Sequence, residues 1–149
     1  FCSGHTGIAG GQELDLKFEN KKKNLKQIIA MQKKKTGKLF NFCLYAVGVL
    51  GKRNNKEKIF LSTLGEEIGL LFQFADDFLD VKGSKKLVGK PIKKDSKKGK
   101  STLIRLMGYK KAHSYANNLK KKILLKLKKH GKKAKDLSDT IEFILGRNF

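Results

Sequence analysis

Three carboxylates stand close together in the apolar run GLLFQFADDFLD: Asp76, Asp77 and Asp80. On a helix Asp76 and Asp80, four residues apart, share a face, with Asp77 about 100° round. Like charges at that spacing repel by only about a few tenths of a kcal/mol on an exposed helix, but by far more when buried among Phe72, Phe74 and Phe78. Hard divalent cations are the chemistry that such a cluster fits. An Mg²⁺ held by one or two carboxylates keeps open positions for phosphate oxygens. A solvated acidic face flanked by lysines is the plainer alternative for an isolated DDxxD pattern. The following segment favours the metal, because it brings Lys90, Asp95 and Lys100. Metal-bearing carboxylates and ammonium groups facing each other across a cleft would bind a diphosphate.

Other patterns carry less. KDSKKGKS (94–101) ends like a phosphate-binding loop but has Lys94 where the leading glycine is needed and no strand before it. GHTGIAGGQ lacks the dinucleotide GxGxxG spacing. His5, His113 and His130 are isolated and read as surface residues, and Cys2 and Cys43 form neither a disulfide framework nor a zinc cluster.

The elements that must hold these residues are helices. Apolar positions recur at helical spacing almost throughout, without the β-branched alternation of strands, so the expected fold class is all-α. Helices are expected at about 11–19, 24–34, 36–51, 56–81, 102–130, with a possible break at Gly108, and 136–147. The span 81–101, which holds the single proline Pro91, is expected to be a long irregular loop.

The net charge of +22, from 35 basic and 13 acidic residues, invites a nucleic-acid partner. Its make-up argues against one. Only Arg53, Arg105 and Arg147 are arginines, and no stacking aromatics separate the lysine runs. No specific nucleic-acid partner is therefore expected. The longest apolar stretch, LFNFCLYAVGVL (39–50), is short of the ~20 residues of a membrane span, and a cytoplasmic location is the expectation. The glycine-rich opening at Phe1 reads as the start of a fragment whose N-terminal part is missing.

Five ordered motifs resemble those of the trans-isoprenyl diphosphate synthases, or polyprenyl synthetases, most closely the C-terminal half of the bacterial farnesyl or short-chain type. GIAGGQELDL (7–16) is similar to the glycine-rich GMxGGQxxDL segment, with Ile8 in place of methionine, and KTGKL (35–39) to KTGxL. GLLFQFADDFLD resembles the second aspartate-rich motif, VGKPIKKDSKKGKST (88–102) the LGKxxxxDxxxGKST loop, and FILGRNF the usual tail. The likeness covers nearly the whole chain. It implies the helical bundle of the isoprenoid synthases, with residues 1–149 forming the C-terminal part of one domain. It also implies Mg²⁺-dependent, head-to-tail condensation of an allylic diphosphate with isopentenyl diphosphate to a farnesyl or geranylgeranyl type product.

By the same resemblance Asp76, Asp77, Asp80 and Asp95 bind the metal and Lys35, Lys90 and Lys100 bind diphosphate. Lys35, Thr36 and Gln73 act in catalysis, and the region 24–51 forms a homodimer face. The first aspartate-rich motif and the isopentenyl diphosphate site would lie upstream of Phe1, so the isolated chain is expected to be inactive. A non-catalytic regulatory subunit or a basic polyanion-binding module is the alternative from a different class.

Overall fold

The computed structural model describes residues 1–88 and 103–146, and among them every regular element is helical. The α-helices are α1 (Ile8–Phe18), α2 (Leu25–Gln32), α3 (Lys38–Leu50), α4 (Asn55–Val88), α5 (Leu103–Met107), α6 (Tyr109–Lys128) and α7 (Lys135–Gly146). Local chemistry sets several of their ends. Asn24 and Gln27 form a reciprocal capping box at the start of α2: the Asn24 side chain accepts the Gln27 N–H at 2.9 Å, and the Asn24 N–H donates to Gln27 Oε1 at 3.1 Å. Asn54 caps α4 through the Glu57 N–H at 2.9 Å. Gly108, at φ +77°, separates α5 from α6 in a left-handed conformation that few other residues adopt, so the span 102–130 is two helices that divide at the glycine where the sequence allowed a break.

The expectation of an irregular loop from residue 81 is corrected in part. The 34-residue α4 continues to Val88, and the remainder of that loop lies outside the described residues. Helical continuation is the cheaper course for the first of these residues, VKGSKKLV, which contain one glycine and no proline. A second departure is at residues 33–37. The chain does not pass directly from α2 into α3 but makes a five-residue π-helical turn, Lys33–Gly37, which bulges the KTG motif out of the regular helical path.

Helix α4 is the axis of the molecule. Leu64, Ile68, Leu71, Phe74 and Phe78 from it are buried with Ile28 and Met31 of α2, Leu103 of α5, Ala112, Ala116 and Ile123 of α6, and Ile141 of α7. On another face α4 runs antiparallel to α3, and glycines let the two backbones meet. A Cβ on Gly65 would lie 2.4 Å from the Phe40 carbonyl oxygen, and one on Gly69 would lie 2.7 Å from Gly37 Cα. Lys38 braces the pair by donating to Glu66 at 2.8 Å, as does Asn41 by donating to the Ser62 hydroxyl at 2.7 Å. Glu67 faces α6, where Lys126 and Lys122 reach it at 2.6 Å and 3.0 Å.

Candidate active site

Counting along α4 by threes and fours gives Gly65, Gly69, Gln73, Asp76 and Asp80 on one face. The two glycines take the π-helical turn and the start of α3 into close contact. Further along, Gln73 meets Thr36, whose hydroxyl donates to Gln73 Oε1 over a long 3.4 Å. Beyond that crossing Asp76 is half-buried and Asp80 exposed. The carboxylates therefore emerge at the rim of the α3–α4 contact, one and two turns past the last residue that is packed tightly.

Asp77 behaves differently from its neighbours. Only 4% of it is exposed, and both of its oxygens are engaged. Gln73 Nε2 donates to Oδ1 at 3.0 Å, and the backbone N–H of Leu103 donates to Oδ2 at 2.9 Å. Burial pushes the carboxyl above the usual carboxylate range. The hydrogen bonds from Gln73 and Leu103 oppose that rise without cancelling it, and the charges of Asp80 and Asp76 add to it.

On the other side of the π-helical turn stands α1. A Cβ on Gly11 would lie 2.2 Å from the Lys35 backbone nitrogen, so the glycine of the GGQ motif is what permits the approach. One helical turn later Asp15 Oδ2 pairs with Lys35 Nζ at 2.5 Å, with the Asp15 side chain 12% exposed. The π-helical turn thus aims consecutive residues in different directions: Lys35 towards α1, Thr36 towards α4.

An apolar groove of about 330 Å³ opens between α3, α4 and α7, lined by Phe40, Leu44, Ile68, Phe72, Phe143 and Ile144. The Phe40 and Phe72 rings lie 5.6 Å apart in it. A second cavity of about 300 Å³ is lined by Phe78, Tyr109, His113, Lys120 and Glu142 among others, and neither cavity is lined by a site residue expected from the sequence.

Residues 2–142 match the family model described as polyprenyl synthetase. The chain belongs to the polyprenyl synthetase family. A farnesyl diphosphate synthase from Micrococcus luteus is 32% identical over 117 residues, which is 78% of this chain and 40% of that protein. The structure of an FPP/GFPP synthase from Zymomonas mobilis superposes with a TM-score of 0.81 at 33% identity over 96% of this chain and 47% of that one. A geranyltransferase from Helicobacter pylori, solved with magnesium and isoprenyl diphosphate, gives 0.76 at 31% identity over 97% and 48%. The chain spans less than half the length of these three proteins.

Of the residues expected to form the polyprenyl synthetase site, the structure links Thr36, Gln73 and Asp77 by hydrogen bonds, sets Asp76 and Asp80 on the α4 face that carries Gln73, and turns Lys35 from the π-helical turn to Asp15 of α1. Lys90, Asp95 and Lys100 lie outside the described residues. No group of three or more His, Cys, Asp or Glu side chains among the described residues is arranged to hold a metal ion. The donors that fit one are the outward-facing Asp76 and Asp80, a pair adequate for a cation that keeps most of its water. Two partners were not singled out from the sequence: Asp15, although it sits inside the GGQELDL motif, and Leu103, whose contribution is a backbone N–H and leaves no signature in residue type. His5, His113 and His130 are exposed, as expected. No helix among the described residues is long and apolar enough to cross a membrane.

Proposed function

We propose that this chain supplies one wall of a prenyltransferase active site. The reaction is the Mg²⁺-dependent head-to-tail condensation of an allylic diphosphate with isopentenyl diphosphate to a farnesyl or geranylgeranyl type product. The observation that carries the proposal is the common face of α4 on which Asp76 and Asp80 follow Gln73, with Lys35 and Thr36 at its edge. The names of the relatives point the same way.

Asp76 and Asp80 would hold Mg²⁺, which when bound offsets the charge of the diphosphate. Lys35 adds an ammonium for the allylic diphosphate, and Lys90 and Lys100 are proposed to do the same, with Asp95 assisting through water. The carbon–oxygen bond of the allylic substrate breaks and the electron pair leaves with diphosphate. Thr36 has its hydrogen directed to Gln73, so the lone pairs of its oxygen remain to stabilise the allylic cation. The double bond of isopentenyl diphosphate then attacks that cation, and the proton released passes to the departing diphosphate. The phenylalanine-lined groove fits the growing hydrocarbon.

The opposed carboxylate motif and the isopentenyl diphosphate site are assigned to the part of the family that this chain does not span. A homodimer is proposed through α3, where Leu39, Phe42, Tyr45, Val49 and Leu50 are exposed. The test is product formation from the two diphosphates with Mg²⁺, on the chain alone and co-expressed with the N-terminal half of a family member. Activity only in the combination is the expected result. Turnover by the chain alone would show that both substrate sites lie within it, and silence in both cases would favour a non-catalytic subunit.

A further inference from the structure

We infer that Asp77 is not a ligand of the metal but a positioning residue, a latch that orients the Thr36–Gln73 pair and ties it to the first turn of α5. The metal in this statement rests on the function proposed above; the latch itself does not.

The first observation is the contrast within DDxxD. Asp76 is half-buried and Asp80 exposed, whereas Asp77 is 4% exposed, on the helix that buries Phe74 and next to the backbone of Leu103, both 0% exposed. Each oxygen already accepts a hydrogen bond, from the Gln73 amide at one and the Leu103 N–H at the other, and 4% exposure leaves a hydrated cation little approach to either. The second observation concerns direction. Both Asp77 oxygens accept hydrogen bonds, and the Gln73 amide turns its nitrogen to Asp77 and its oxygen to Thr36. The Thr36 hydroxyl is then obliged to donate, and its lone pairs are left for substrate. One buried carboxyl, accepting at both oxygens, thereby sets the polarity of the whole Thr36–Gln73–Asp77 series.

The third observation is the Leu103 N–H. It belongs to the first residue of α5, where a backbone N–H has no partner within its own helix, and Asp77 satisfies it across 26 residues of sequence. Leu103 follows directly on the segment that bears Lys90, Asp95 and Lys100. Asp77 therefore ties Leu103, the first described residue after that segment, to the aspartate-rich helix.

Two measurements test the inference. Amide hydrogen exchange on the full chain, without metal, should show Leu103 exchanging about tenfold faster in Asp77→Ala and within about twofold of the parent in Asp76→Ala. Unchanged Leu103 exchange in a folded Asp77→Ala protein would overturn the latch. Should Asp77→Ala fail to fold, Asp77→Asn preserves the shape and is read by kinetics in the assembled enzyme. Its kcat should fall about a hundredfold while the half-saturating Mg²⁺ concentration stays within about threefold; Asp76→Asn should raise that concentration about tenfold. Loss of kcat in Asp77→Asn should also be non-additive with Gln73→Ala, because both break one series. Equal rises in Mg²⁺ requirement for Asp76→Asn and Asp77→Asn would overturn the inference. Faster Leu103 exchange without turnover in any assembly would support the latch and remove the prenyl-transfer reading.

Discussion

Lys35 and Asp15 form an ion pair at 2.5 Å, at the place where Gly11 brings α1 against the π-helical turn. The ammonium that the KTG motif contributes is thus held by a partner from the GGQELDL motif, 20 residues earlier. A lysine has three donors, so pairing with Asp15 orients Lys35 and leaves donors for an anion.

Removing that ammonium should weaken capture of the allylic diphosphate. Lys35→Ala is expected to lower kcat/KM about tenfold to a hundredfold in the assembled enzyme, mostly through KM. Asp15→Asn should leave Lys35 charged but unheld and cost about 1–2 kcal/mol of stability. Steady-state kinetics and urea unfolding of both variants check this; an unchanged KM in Lys35→Ala would remove Lys35 from the substrate site.

Loss of an outward carboxylate should affect chemistry and not folding. Asp76→Ala is expected to reduce turnover by about a thousandfold or more at saturating Mg²⁺. Its helical circular dichroism and unfolding midpoint should remain close to those of the parent. Near-normal turnover would reduce Asp76 to a surface carboxylate.

The glycines at the helix crossings predict a graded stability series. Gly11→Ala and Gly69→Ala would set a Cβ 2.2 Å from Lys35 N and 2.7 Å from Gly37 Cα, backbone atoms that cannot yield without shifting an element. Each should cost about 2–4 kcal/mol. Gly146→Ala, with nothing within 4 Å among the described residues, should change stability by less than about 0.5 kcal/mol. Urea denaturation gives the ordering directly.

Glu67 gives the protein an acid-sensitive brace. Burial pushes its carboxyl up, but hydrogen bonds from Lys126 and Lys122 outweigh that and leave it below the usual glutamate value. A lowered carboxyl in the folded state contributes stability that is present above the unfolded value near 4.5 and is lost as pH falls through the folded one. Thermal unfolding from pH 6 down to pH 3 should therefore show a fall that Glu67→Gln makes shallower. At pH 7 the same variant should cost about 1 kcal/mol. Parallel pH profiles for the two proteins would show that the α4–α6 brace contributes nothing to acid sensitivity.

The sequence by itself determined the fold class and the family, and it supplied the candidate site residues. Helical periodicity depends on neighbours three and four residues away, and the spacings in GIAGGQELDL, KTGKL and GLLFQFADDFLD are properties of short segments. Asn24 and Gln27 announce a helix start for the same reason. Only the tertiary structure decided which of the three aspartates turn outward. That choice depends on what α4 packs against, and the partners of Asp77 include a backbone N–H 26 residues away that no side-chain pattern records. The π-helical turn at Lys33–Gly37 was likewise decided by packing. Gly11 on one side and Gly69 on the other bring two helices against the same five residues. The exposure of the α3 stripe follows from the same source: periodicity marks an apolar face, and only the positions of the other helices determine whether anything covers it.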